Sequence, residues 1–368
     1  MTSGAGVATL ATLFNRSVRI LLIGVVAALA VSGASCGPAS SGSSGTAAAV
    51  APAGTSSAPA PEGSTPATTA APTAAAVRHP SAGCGAGSTT TAGTAGTGTS
   101  GTSGTEARTL ATPAGDRTYR ITRPAVTASA TSAAPLVLLF HGFAGSAEGF
   151  STLTKLPERG AAAGFVVVAP DGTGALKTWQ FSGQSTDASF VDALIDEVAR
   201  TTCIDLDRVT ATGFSAGAAF TLAYSCAHQD RIHAIATVAV DFQLGCKAPM
   251  SILAFHGTVD PLVPYENEAV GLSLPGVKVR GTDLNMGDWA KLDGCASGPT
   301  VDELGTEVRR STWSGCAPRT DVVLYAIQGG GHTWPGADPT KAVGLTTQQV
   351  DATAEVLAFF QRDHLPPA

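Results

Sequence analysis

Basic charge is scarce in this sequence, and its first hundred residues are poor in almost everything that builds a core. Lys and Arg together number 22 against 28 Asp and Glu, a formal net charge of −6. No basic stripe interrupts that balance, which excludes the phosphate-neutralising footprint of a nucleic-acid partner. Aromatic residues make up 6% of the chain, and the first hundred residues hold hardly one, nor hardly a charge. No cysteine pair has C-x-x-C spacing, which weakens a metal reading. No G-x-G-x-x-G or Walker pattern follows a predicted strand, which argues against a nucleotide site. The one early apolar run, residues 20–31, falls short of the roughly 20 residues that span a bilayer.

That run does have the layout of a targeting segment. Arg16 and Arg19 precede it and small residues 32–35 follow, the charged, apolar, small-residue order of an export signal. We therefore expect residues 1–35 to be an export signal and the protein to be extracellular, secreted or attached to the outer face of the cell membrane. The cleavage position stays open. Ala28-Leu29-Ala30 and Ser32-Gly33-Ala34 suit a signal peptidase, while Gly33-Ala34-Ser35-Cys36 resembles a lipobox, departing from it at Gly33. Lipidation of Cys36 would give a membrane tether and leave six cysteines of the seven, an even number suited to an oxidising compartment.

Residues 36–105 read as a low-complexity Ala/Ser/Thr/Gly/Pro tether that buries too little apolar area to offset the entropy of ordering. Residues 106–368 read as one catalytic domain, within the size that single α/β domains reach. In it, short apolar runs bounded by Gly or Pro predict strands buried on both faces: residues 136–140, 164–169, 208–212, 234–240, 251–255 and 322–327, with an earlier strand at 120–123. Helical periodicity predicts helices at 190–200, 216–226 and 347–362. The alternation implies an α/β fold with a mostly parallel central sheet and helices on both faces, with function at the carboxyl ends of the strands.

Two segments match G-x-S-x-G. Residues 33–37 lie in the export region. Gly213-Phe214-Ser215-Ala216-Gly217 follows a predicted strand and opens a predicted helix, the context in which such a Ser is a nucleophile. A Ser hydroxyl needs a base, and that base needs a carboxylate to orient it. In this strand–helix layout the chain order is Ser, acid, His. His332, in the glycine-rich loop 329–336 after the last predicted strand, is the expected base. His364 lies at the chain's end, and His228 and His233 belong to the far end of the sheet. Asp260, just after the 251–255 strand, is the favoured acid, with Asp241 as the rival. The oxyanion donors are expected from the backbone N–H groups of Ala216 and Phe143. His141 is expected to brace the turn that carries Phe143. Trp179 and Trp334, with Phe181, are candidates for an aromatic substrate-binding wall. This chemistry needs no metal and no organic cofactor.

Five segments carry a family resemblance: HGFAGSAEGF (141–150), APDGT (169–173), GFSAG (213–217), HGTVDPLVPY (256–265) and GGGHTWPG (329–336). In this order and spacing they resemble the polyhydroxybutyrate depolymerase and feruloyl esterase group of secreted α/β-hydrolase esterases, which includes lipoprotein esterases of actinobacteria. The resemblance runs from about residue 117 to the C-terminus. It implies a carboxylic ester hydrolase with Ser215, Asp260 and His332 as its triad, acting on a polyester oligomer or an acylated polysaccharide such as a feruloyl or acetylated xylan. Loop 182–190 departs from the family, with Thr186-Asp187-Ala188-Ser189 where paired acids are expected. On the same footing we expect disulfides Cys295–Cys316, Cys226–Cys246 and Cys84–Cys203. The alternatives are an acyltransferase to a cell-wall sugar or lipid, and a non-catalytic surface binder on the same fold. No separate substrate-binding module is visible, which speaks against attack on crystalline polymer.

Overall fold

A computed structural model describes residues 79–84, 104–125, 133–266 and 280–362. The expected export signal, Cys36, most of the tether and His364 lie outside the described residues. The strands are β1 (Thr105–Thr112), β2 (Gly115–Thr122), β3 (Ala134–Phe140), β4 (Val166–Pro170), β5 (Ile204–Phe214), β6 (Ala234–Val238), β7 (Ser251–Gly257), β8 (Ser297–Glu303), β9 (Val308–Ser314) and β10 (Val322–Ile327). The helices are α1 (Ala147–Thr154), α2 (Leu156–Ala162), α3 (Thr186–Thr201), α4 (Ala216–Ala227), α5 (Thr282–Leu292) and α6 (Ala352–Phe360).

All ten strands join one sheet in the order β1-β2-β4-β3-β5-β6-β7-β10-β9-β8. The central strands β4, β3, β5, β6, β7 and β10 run parallel, and antiparallel hairpins close both edges. Alternation within a strand feeds two cores. Leu136, Leu138 and Phe140 face one layer, with Phe190, Leu194, Phe220 and Trp289 from α3, α4 and α5. Val137 and Leu139 face the other, with Phe150, Leu156, Val356 and Phe360 from α1, α2 and α6. Central strands buried on both faces read as unbroken apolar runs, which is why they were visible in the sequence.

Differences from the expected elements have local causes. The helix expected over 347–362 begins only at Ala352, because Asp351 accepts the Ala354 N–H at 2.9 Å as its N-cap. The strand expected over 234–240 ends at Val238, where Ala239 turns to φ 66°. The β8–β9 hairpin is the excursion between Cys295 and Cys316. Its outer strand is almost wholly exposed, so it carries no apolar alternation to detect.

All three expected disulfides are present: Cys84–Cys203, Cys226–Cys246 and Cys295–Cys316. The first straps residues 79–84 onto the start of β5. Ser81 N–H donates to Ile204 O at 2.8 Å and Leu206 N–H to His79 O at 2.9 Å, so this strap adds a short edge to the domain.

Candidate active site

β5 delivers Ser215 at the sheet's carboxyl edge on a sharp turn into α4. Its backbone sits at φ 54°, ψ −117°, a left-handed conformation that L-residues avoid at a cost of about 1–3 kcal/mol. The flanking glycines make that turn feasible. A Cβ on Gly217 would lie 2.1 Å from Phe140 O, and one on Gly213 would lie 2.4 Å from the Gly217 backbone. The Ser215 N–H donates to Val238 O at 2.9 Å, which ties the turn to β6. Ser215 is half-buried. Ala216 is the first residue of α4, so its N–H is among the donors that a helix leaves unpaired at its positive end.

The turn that follows β3 abuts this elbow. A Cβ on Gly142 would meet Phe214 Cδ1 at 3.2 Å and Ser215 Cβ at 3.6 Å. Phe143 is next in that turn. His141 braces it: its Nδ1–H donates to Gly142 O at 2.7 Å, and its Nε2 accepts the Gly172 N–H at 2.9 Å. Accepting at Nε2 requires a neutral ring. Burial pushes His141 below its ordinary value, in keeping with that assignment.

β7 and β10 bring together the expected acid and the expected base. Gly257 ends β7 against the loop after β10, where a Cβ would lie 2.4 Å from both Gly330 O and Gly331 O. This close approach sets Asp260 beside His332, with His332 Nδ1–H donating to Asp260 Oδ2 at 2.7 Å. That leaves His332 Nε2 with its lone pair. Asp260 Oδ1 accepts the N–H groups of Leu262 and Val263 at 2.8 and 2.9 Å, which fixes the carboxylate in its turn. The imidazole of His332 packs 4.8 Å from the ring of Phe214, the neighbour of Ser215. No side-chain hydrogen bond joins Ser215 Oγ to His332 among the described residues. In substrate-free sites such bonds often tighten only when the substrate arrives.

The rival acid has another partner. Asp241 Oδ2 lies 2.6 Å from Nδ1 of His256, and its Oδ1 accepts from Asn285 Nδ2 at 2.7 Å. The pair is buried, with His256 Nε2 3.7 Å from Asp260 Oδ2. Burial alone would push Asp241 up, but the facing His256 and the hydrogen bonds from His256, Asn285 and Thr282 hold it below the usual carboxylate range. Burial likewise pushes His256 down, and Asp241 outweighs it, leaving His256 above its ordinary value. Sequence reasoning singled out Asp241 and missed its pairing with His256. His256 and Asp241 each end a predicted strand, and that shared position was the available signal.

The aromatic wall needs correction. Trp179 and Trp334 are each 2% exposed. Trp179 donates its indole N–H to His141 O at 2.8 Å and stacks on Phe220, while Trp334 donates to Thr353 Oγ1 at 3.1 Å and packs edge-on to Phe150. With their polar handles satisfied inside the two cores, these indoles hold up the site loops from beneath and present almost no face to a substrate. Loop 182–190 is pinned in a similar way. Asp187, fully buried, accepts the Gln180 N–H at 2.8 Å and lies 2.8 Å from Arg117 Nη1, while the Arg117 guanidinium covers the Phe190 ring. His228 caps the far end of α4, and His233 enters β6 at the opposite end of the sheet from Ser215. A cavity of about 860 Å³ between α1 and residues 334–341 includes none of Ser215, Asp260 and His332 in its lining. Among the described residues no group of three or more His, Cys, Asp or Glu is placed to hold a metal ion.

The family described as alpha/beta hydrolase fold matches residues 135–291. The chain therefore has the α/β-hydrolase fold, and the expected mostly parallel sheet with helices on both faces is what the structure holds. A solved acetyl xylan esterase from Aspergillus awamori superposes with a TM-score of 0.51 at 14% identity, covering 70% of this chain and 99% of that one, a likeness of fold. Among relatives, the chain is 27% identical to NocK of Nocardia uniformis subsp. tsuyamanensis, a protein that bears an esterase name, over 69% of this chain and 81% of that one. It is 30% identical to feruloyl esterase B of Piromyces equi over 54% of this chain and 40% of that one. It is also 30% identical to feruloyl esterase D of Neurospora crassa, over 47% of this chain and 56% of that one. The chain thus spans about half the length of these feruloyl esterases. The resemblance read from the sequence, to feruloyl esterases of the α/β-hydrolase type, is the likeness these comparisons find.

Proposed function

We propose that the protein is a serine esterase that hydrolyses carboxylic esters through an acyl-enzyme on Ser215. The observation that carries this reading is the Asp260–His332 hydrogen bond of 2.7 Å, with the His332 ring packed 4.8 Å from that of Phe214, the neighbour of the strained Ser215. In the proposed reaction His332 Nε2 takes the Ser215 hydroxyl proton as Oγ attacks the ester carbonyl. Asp260 holds the ring through Nδ1 and stabilises the imidazolium that forms. The oxyanion is received by the N–H groups of Ala216 and Phe143, the first at the positive end of α4. The tetrahedral adduct expels the alcohol, which takes the proton from His332. Water then attacks the acyl-enzyme, giving up its proton to His332, which passes it to Ser215 as the acid leaves.

The names of the relatives point to acylated plant polysaccharide as the substrate class, feruloyl or acetyl esters of xylan, with short polyester oligomers as the other class to assay. The three disulfides support an extracellular setting. The test is Ser215→Ala against p-nitrophenyl acetate and butyrate. Turnover and fluorophosphonate labelling should both vanish while the fold stays intact, and unchanged turnover would falsify the nucleophile. A parallel panel of methyl ferulate, acetylated xylan and hydroxybutyrate oligomers ranks the substrates.

A further inference from the structure

The site holds a second His–carboxylate pair that the proposed reaction leaves without a role. His256 and Asp241 are 3% and 2% exposed, directly behind Asp260. Their hydrogen bonds settle where the protons are. His256 Nε2 faces Val263 O at 2.8 Å, and a carbonyl only accepts, so Nε2 carries a proton. On the other side of the ring, Nδ1 lies 2.6 Å from Asp241 Oδ2 and 2.9 Å from Thr282 Oγ1. Asp241 also accepts from the Asn285 amide at Oδ1. The facing imidazole and the hydrogen bonds from Asn285 and Thr282 hold the buried Asp241 below the usual carboxylate range, which places the shared proton on Nδ1. The ring is then an imidazolium with both nitrogens protonated.

We propose that His256 and Asp241 are positioning residues for the esterase reaction: the His256 imidazolium, paired with Asp241, clips the Asp260 turn through Val263 and holds a positive charge behind the carboxylate that orients His332. This rests on the esterase reading for its consequence in catalysis, though not for the charge state itself.

The geometry gives the pair two actions. Asp260 and His256 grip the same turn, Asp260 Oδ1 by the Leu262 and Val263 N–H groups and His256 by the Val263 carbonyl. The carboxylate that meets His332 is thereby fixed in the turn from both sides. Electrostatically, Asp260 Oδ2 lies 2.7 Å from His332 Nδ1 and 3.7 Å from His256 Nε2, between two imidazoles. The cation behind it offsets part of its negative field at His332. Among the described residues, the cations near this pair are engaged by acids of their own. Tyr265 packs edge-on at 5.6 Å, and its hydroxyl is engaged by Asp283 and Arg309. Trp289 donates to Asp241 O, Asn285 also donates to Arg280 O, and the Arg280 guanidinium pairs with Asp288.

Two variants separate charge from packing. In Asp241→Asn the new amide keeps an acceptor for Asn285 and offers a donor to His256 Nδ1, so the ring stays in place, neutral, still bonded to Val263. In His256→Gln the side-chain amide can keep the Val263 bond without the charge. Asp241→Asn should melt within a few degrees of the parent protein, and His256→Gln lower, because it leaves Asp241 buried without its counter-charge. In both, the acid limb of kcat/KM for p-nitrophenyl butyrate should move up by about half a pH unit or more, costing about threefold or more in rate on that limb. A purely structural pair would leave the limb in place. The parent protein alone also tests the charge state: ¹⁵N NMR of histidine-labelled protein at pH 8 should show both His256 nitrogens protonated. A neutral His256 in that spectrum, or folded variants with an unmoved acid limb, overturns the proposal. If the variants do not fold, the spectrum decides. Should Ser215→Ala retain turnover, the esterase reading fails while the ¹⁵N result still stands or falls on its own.

Discussion

Asp293 should make this protein less stable as pH rises from 4 to 7, and one isosteric change should abolish that slope. Asp293 ends α5 and is fully buried. Its Oδ1 accepts the Met250 N–H at 2.9 Å, and its Oδ2 has no partner. Burial pushes the carboxyl up from 3.8 to about 7, with the Met250 bond opposing in part. The sign follows from linkage. Between those two values the unfolded chain has released the proton and the folded chain retains it, so unfolding gains about 1.4 kcal/mol per pH unit. Below 4 both states are protonated and the penalty is absent; above 7 both are ionised and it stays constant. Across the window the loss comes to about 4 kcal/mol. In Asp293→Asn the Met250 bond survives and no charge is buried, though an amide N–H replaces the orphan oxygen at a cost of about 1–3 kcal/mol. The variant should therefore equal or undercut the parent at pH 4 and exceed it by about 1–3 kcal/mol at pH 8. Urea unfolding of both proteins at each half-unit from pH 4 to 8 measures this directly. Other groups titrate in the same range. His141 and His233, pushed down by burial, lose stability in the opposite direction as pH falls. They contribute equally to both proteins, so the difference between the two curves isolates Asp293. Parallel curves would refute the reasoning.

Gly257→Ala should push the His332 loop away from Asp260, because the new Cβ would strike the Gly330 and Gly331 carbonyls; a displacement near 1 Å predicts about a 100-fold fall in kcat/KM with ester substrate, and unchanged kinetics would mean that the loop position does not matter. Asp187→Ala leaves Arg117 buried without its counter-charge and should cost about 3–5 kcal/mol in urea unfolding. The double variant Arg117→Met/Asp187→Ala should recover much of that loss, and no recovery would mean that the pair's packing rather than its charge matters.

The parallel core was legible because strands buried on both faces cannot alternate. Their apolar runs and the glycines that end them mark the sheet and its functional edge at once. Ser215 stood out for a related reason: Gly213 and Gly217 are imposed by backbone atoms less than 2.5 Å from where their side chains would start, so the motif is a steric consequence of the turn. The elements missed are those whose pattern is erased by exposure or borrowed from tertiary contacts. Strand β8 faces solvent along its length. Helix α5 has no side-chain N-cap and buries Met286 and Trp289 among charged neighbours.

The aromatic residues were misread because a tryptophan near a catalytic motif in sequence gives no sign of whether it faces the site or supports it. Both indole N–H groups here are claimed by partners in the core, His141 O and Thr353 Oγ1. The Asp241–His256 pair escaped the sequence for a different reason. Chain order distinguishes candidate acids by which strand they end, and both Asp241 and Asp260 end suitable strands. What separates them is which imidazole each one meets, and two histidines, His256 and His332, lie on adjacent parallel strands or just beyond them. A parallel sheet places the ends of neighbouring strands about 5 Å apart, so two His–carboxylate pairs can share one edge with their oxygens and nitrogens within 3.7 Å. Only one imidazole can then be the base. His332 leaves a nitrogen lone pair unclaimed on the side of the Phe214–Ser215 elbow, while both nitrogens of His256 are spent on Asp241, Thr282 and Val263. In the proposed reaction that difference in hydrogen bonding is the reason His332, and not His256, takes the serine proton.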